Sequence, residues 1–164
     1  MKEINIRDIK ESAVEMIADG WALVTAGNKE KFNTMTVSWG ALGEIWGKDA
    51  AFIFIRPQRY TYEFIENEDL FTISFYAPEH KDALKLCGAK SGRNIDKADA
   101  AGLTPVFTDG SVTFEQAEIT LVCRKMAGQF LDPAGFIDPA IENNYANKDY
   151  HKMYIGEILK VYAK

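Results

Sequence analysis

Leu70-Phe71-Thr72-Ile73-Ser74-Phe75-Tyr76 alternates without a break, with Phe71, Ile73 and Phe75 on one side and Thr72, Ser74 and Tyr76 on the other. Period two over such a run is the mark of a strand with one face on a core. Strand-like runs flank it upstream at Trp21 to Thr25, Met35 to Trp39 and Ala50 to Ile55. Gly27-Asn28 and Gly43 to Lys48 supply the turns between them. Downstream, Val112 to Lys125 reads as one long strand and Tyr154 to Tyr162 as a last one. The apolar phase of the long strand slips, since Val112 and Phe114 are even-numbered and Ala117, Ile119, Leu121 and Cys123 odd. A bulge near Glu115-Gln116 accounts for the slip.

Helical segments between the strands are short. Asp8 to Asp19 begins with a capping box of Asp8 and Glu11, places Ile9, Ala13, Val14, Met16 and Ile17 on one face, and stops at Gly20. Tyr60 to Glu66, Glu79 to Cys87 and Asp96 to Ala101 complete the set, the last two closed by Gly88 and Gly102. Leu131 to Lys148, with Pro133 and Pro139, reads as an irregular excursion. Six or seven strands with short helices and no regular β-α-β alternation predict a mainly β protein, a closed or split β-barrel formed by residues 1–164 as a single domain.

Bulk properties narrow the function. The chain has 164 residues, a formal net charge of -5 and a pI of about 5.1. A broad polyanion-binding surface does not fit that balance, so an OB-like nucleic-acid module ranks low. Cys87 and Cys123 lack metal or redox spacing and are expected to be buried reduced thiols. With no apolar signal core or membrane-length run, the expected location is the cytoplasm, with no membrane partner. Gly40 to Gly43 is no dinucleotide fingerprint, Gly88 to Gly92 lacks P-loop spacing, and no GxSxG elbow occurs. His80 and His151 have no partners at metal spacing, so no metal is expected.

What remains is a ligand-binding pattern. Asn33-Thr34-Met35-Thr36-Val37-Ser38-Trp39-Gly40 alternates hydroxyls with apolar residues, and Arg56-Pro57-Gln58-Arg59-Tyr60-Thr61 brings two guanidinium groups to the end of an apolar strand. Arginine forks onto phosphate, and Thr61 opens a helix whose first amides are free. Lys90-Ser91-Gly92-Arg93 adds cations and small residues after another helix end; its cations could instead cap that helix. Trp39 is either a core aromatic or a wall beside a flat ring. Such a set suits one small phosphorylated aromatic ligand, flavin mononucleotide (FMN) above others.

These segments, with Asp149-Tyr150-His151 and Ile155-Gly156-Glu157, resemble the flavin reductase-like family, and more narrowly its flavoredoxin-type branch. The resemblance implies a split barrel, non-covalent FMN, and a homodimer with its flavin sites near the subunit interface. Carried over, Asn33, Met35, Thr36, Val37, Ser38 and Trp39 would meet the isoalloxazine and ribityl parts. Arg56, Arg59, Thr61, Lys90, Ser91 and Gly92 would hold the phosphate end. His151 would meet the substrate side; the family's motif reads Asp-His, and Tyr150 stands between the two here. No side chain is expected to act as a catalytic nucleophile. The implied activity is NAD(P)H-dependent flavin or ferric reduction, the nicotinamide stacking on the exposed flavin face. A small electron-transfer protein served by a protein redox partner is the alternative.

Overall fold

A computed structural model describes all residues, Met1 to Lys164. Ten strands form: β1 (Lys2–Ile4), β2 (Ala22–Gly27), β3 (Phe32–Val37), β4 (Gly40–Ile45), β5 (Lys48–Ile55), β6 (Leu70–Phe75), β7 (Pro105–Thr108), β8 (Ser111–Phe114), β9 (Ile119–Phe130) and β10 (Lys152–Ala163). Three α-helices intervene, α1 (Tyr60–Asn67), α2 (Lys81–Ala89) and α3 (Lys97–Ala100). The main sheet runs in the order β3-β2-β6-β9-β10-β5-β4, with β1 beside β10, and every pairing is antiparallel. Its two outermost strands, β3 and β4, are consecutive in the chain and joined only by Ser38 and Trp39. So short a link forces the sheet to curl until its edges meet. The result is a split β-barrel whose seam lies at Ser38-Trp39.

Alternation explains the packing. Phe71, Ile73 and Phe75 of β6 join Ala22, Val24 and Ala26 of β2 and Met35 and Val37 of β3 in the barrel core. The opposite face is covered too. Thr72 donates to the Val112 carbonyl at 2.5 Å, Ser74 shares hydroxyl bonds with Thr113 and Thr120, and Leu23 packs with Leu84, Cys87 and Phe114. Strand β2 is therefore buried along its whole length. Cys87 and Cys123 are free and buried, and desolvation pushes the Cys87 thiol up to about 11.

Three sequence-based expectations are corrected. The helix expected over Asp8 to Asp19 is two pieces. Asn5, not Asp8, caps a short 3₁₀ turn at Ile6–Asp8, and a separate π-helical turn covers Glu15–Gly20. Only Ile17 of the expected apolar stripe is buried there, while Val14 is exposed, so the apolar spacing did not trace one face. The long strand expected over Val112 to Lys125 is β8 and β9 in different sheets, with β8 paired to β7. A turn at Phe114 to Ala117 changes sheets, which is why the apolar phase slips there without a bulge. Finally, the turn expected over Gly43 to Lys48 is only Trp46-Gly47, both at positive φ, closing a two-residue hairpin between β4 and β5. Gly40 and Gly43 lie within β4, and a Cβ at Gly40 would sit 2.9 Å from the Phe52 carbonyl oxygen.

Candidate functional site

Two adjacent cavities lie beside β3, the second of them at the barrel seam. The first, about 460 Å³, lies between the end of β5, the start of α1 and the end of α2. Arg56, Arg59, Thr61, Lys90 and Ser91 line it, as does Met35. The second, about 240 Å³, follows β3 into the seam and is walled by Thr36, Val37, Ser38, Trp39, Phe54 and His151. Met35, Arg56 and Arg59 belong to both. A basic pocket thus adjoins an aromatic and apolar one. Asn33 and Gly92 instead line a third cavity of about 470 Å³, which meets the basic pocket at Tyr60 and Lys97.

Local structure explains these positions. Pro57 follows Arg56, so the chain leaves β5 extended and cannot continue the ladder. Arg59 then stands as the N-cap of α1 without making a side-chain cap, leaving the first-turn amides of α1 without that partner. Its guanidinium donates to the Gly88 carbonyl at 2.9 Å, tying the start of α1 to the end of α2. Thr61 is buried, and its hydroxyl accepts from the Asn33 amide at 2.7 Å. The Thr36 hydroxyl donates to the Leu84 carbonyl at 2.5 Å, and Thr34 pairs with Thr25 at 2.8 Å. Hydroxyls that look available in the sequence therefore hold β3 to its neighbours.

Charge is distributed unevenly. Arg56 pairs with Asp149 at 2.5 Å and donates to the Asn144 carbonyl at 2.9 Å, so the excursion of residues 131–148 is pinned to the site. That pairing holds the Asp149 carboxyl below the usual carboxylate range. Its Oδ1 is buried with no hydrogen-bond donor, leaving an acceptor beside the site unfilled. Arg93 points elsewhere, paired with Glu63 and lying 4.6 Å over the Tyr60 ring. Arg59, Lys90 and Lys97 are the cations of the basic pocket that no carboxylate pairs.

His151 is 9% exposed, its ring 4.9 Å from that of Trp39, which is itself 44% exposed. The Tyr145 hydroxyl bonds His151 Nδ1 at 2.9 Å and fixes the ring. Desolvation lowers the His151 pKa to about 4, with the nearby Arg56 charge acting in the same sense, so the imidazole is neutral at physiological pH. Tyr150 turns away from the pocket to bond Glu142 at 3.1 Å and pack on Tyr145 at 4.9 Å, while Asp149 and His151 both face the site. The residue between them therefore displaces neither.

Sequence reasoning missed Lys97 and Tyr145. Lys97 lies on a four-residue helix far along the chain from β3, and only folding brings its ammonium to the Thr34 and Cys87 carbonyls, at 2.8 and 2.7 Å. Tyr145 lies in the irregular excursion, where no periodicity distinguishes it. The Asp-to-His spacing was the one local signal pointing toward it.

The chain is thus a mainly β split barrel that sets a basic pocket beside an aromatic one. The chain belongs to the flavin reductase-like family: residues 14–164 match the model of the flavin reductase-like domain. Comparison with curated protein sequences finds no match. Among solved structures, the chain resembles a flavoredoxin from Methanosarcina acetivorans at 19% identity and TM-score 0.69, over 88% of this chain and 68% of that one. An FMN-binding domain of a flavin reductase-like enzyme from Shewanella baltica matches at 17% identity and TM-score 0.71, over 99% and 76%. An NADH:FAD oxidoreductase from Streptomyces globisporus matches at 16% identity and TM-score 0.66, over 88% and 74%. At these identities the likeness establishes the fold. No helix is long and apolar enough to cross a membrane.

Proposed function

We propose that the chain binds FMN without a covalent link and works as an NAD(P)H-dependent flavin or ferric reductase. The observation that carries this reading is the adjacency of the two cavities: a basic pocket for an anionic end shares Met35, Arg56 and Arg59 with a pocket lined by Trp39, Phe54 and His151. Residue types fit the two ends of the molecule. Arg59, Lys90, Ser91 and the start of α1 supply donors for a phosphate. Val37, Trp39 and Phe54 offer faces for a flat ring.

When bound, the flavin supplies the redox chemistry, accepting hydride or single electrons and passing them on. The protein's own groups bind, orient and exclude water. Arg56 is neutralised by Asp149, so its part is to fix the wall between the pockets, and Arg59 and Lys90 carry charge to the phosphate. A neutral His151, clamped by Tyr145, presents a polar ring edge beside Trp39 without repelling a cationic nicotinamide. The exposed Trp39 at the pocket mouth also fits a homodimer that covers the seam. A carrier that takes electrons from a protein partner is the second reading, supported by the likeness of the fold to flavoredoxins.

Visible absorbance after reconstitution with FMN and removal of free ligand tests the binding. Arg59→Ala is expected to weaken retention by roughly 1.5–3 kcal/mol, the loss of a charge-assisted bond. Lys90 is exposed, so Lys90→Ala should cost about 1 kcal/mol or less. Unchanged affinity in both variants would refute the phosphate assignment. Oxidation of NADH or NADPH by the loaded protein then separates a reductase from a carrier.

A further inference from the structure

Lys97 is 6% exposed, yet no carboxylate pairs with it. Its ammonium donates to two main-chain carbonyls, Thr34 at 2.8 Å and Cys87 at 2.7 Å. An ammonium has three donors, so one is left over. The residue also lines both the basic pocket and the neighbouring cavity, as Tyr60 does. A buried cation without a counter-ion is costly, and desolvated ionisable groups of this kind cluster at functional sites.

We propose that Lys97 answers the phosphate of the flavin from the floor of the basic pocket, so that the grip on a phosphorylated flavin, but not on riboflavin, weakens in alkaline solution. This rests on the flavin reading above and adds to it a binding residue and a pH dependence. The groups facing Lys97 are few. Cys87 of α2 is a thiol held protonated well above neutral pH, Arg59 is a permanent cation, and Lys90 and Tyr60 share the cavity wall. Asp96 lies just before it, exposed, its side chain capping the Asp99 amide of α3. Burial, with Arg59 adding to it, lowers the Lys97 pKa to about 8.

The sign follows. A phosphate beside Nζ favours the charged form and raises the pKa in the complex. Below about pH 8 the ammonium is already present and binding moves no proton. Above it the free protein holds a neutral amine, and binding draws one proton from solvent onto Nζ. The affinity of FMN relative to riboflavin should therefore fall about tenfold between pH 7 and pH 9. Ionisation of the flavin ring is common to both ligands and cancels in the ratio.

Fluorescence titration of FMN and of riboflavin, at pH 7 and pH 9, provides the measurement. Calorimetry in buffers of different ionisation enthalpy adds a direct count of protons. The expected result is the tenfold fall in the ratio, with proton uptake at pH 9 for FMN and none for riboflavin. A ratio that stays level while FMN still binds overturns the role of Lys97 and leaves the flavin reading standing. Binding of neither ligand overturns both. Lys97→Met is expected to weaken FMN about tenfold at pH 7, leave riboflavin unchanged and abolish the pH slope. Equal loss of both ligands would make Lys97 a strut between β3 and α2 and overturn the proposal. If that variant does not fold, the wild-type ratio and the proton count decide alone.

Discussion

Gly92→Ala probes how tightly the phosphate-side loop is fitted to the barrel. A Cβ at Gly92 would lie 1.9 Å from Asn33 Oδ1 and 2.9 Å from its Cγ. Asn33 is buried and donates to the Thr61 hydroxyl at 2.7 Å, so its amide cannot retreat without breaking that bond. Displacing it leaves a buried amide and a buried hydroxyl without partners, at a cost of about 1–3 kcal/mol. Part of this is offset, because alanine restricts the unfolded chain and returns about 0.4–1 kcal/mol. The net loss should be about 1–2 kcal/mol, or roughly 2–8 °C in Tm for a chain of this size. Urea and thermal denaturation of wild type, Gly92→Ala, Asn33→Ala and the double variant supply the test. With Asn33 cut back to alanine only a tight approach to Tyr60 Cδ1 at 3.3 Å remains, and Gly92→Ala should then cost much less than in the wild-type background. The reasoning is refuted if Gly92→Ala costs the same in both backgrounds, since the clash with Asn33 would then not be its cause.

Two other outcomes follow from the packing and the charge. Gly156 faces the barrel core, where a Cβ would meet Phe71 Cζ at 2.5 Å and Cys123 Cβ at 3.0 Å; Gly156→Ala should destabilise by about 1–3 kcal/mol, read as a lower urea midpoint at unchanged slope. His151 titrates near 4 in the folded chain against 6.5 ordinarily, so as pH falls between these values the unfolded chain binds a proton that the folded chain does not. Stability must drop across that window, and His151→Gln should lose less stability than wild type between pH 7 and pH 5. Equal losses in the two proteins would show that His151 is not held neutral.

Particular residues show why some features were readable in advance. The alternation of Phe71, Ile73 and Phe75 is local, and a strand in a barrel must alternate whatever surrounds it, so β6 was legible from its own residues. Arg56, Arg59 and Thr61 were legible because Pro57 and the helix start confine them to one short stretch. The slip at Glu115-Gln116 was visible, but a bulge and a change of sheet leave the same trace in the apolar phase. The apolar positions from Ile9 to Ile17 match a helix, yet the barrel end buries only Ile17 fully, with Ile9 and Met16 packed at its edge.

The site divides in the same way. Residue order alone determined a β-rich chain with cations and hydroxyls gathered at two short segments, because strand period and turn chemistry act between near neighbours. Tertiary structure decided which of those groups are free: Thr36 is claimed by Leu84, Asn33 by Thr61 and Arg56 by Asp149, all partners distant in the chain. It also decided that Lys97, unremarked among the surface-type residues of the sequence, stands desolvated beneath the pocket. Burial and pairing are properties of what closure of the barrel brings together, and that information does not reside in any one segment.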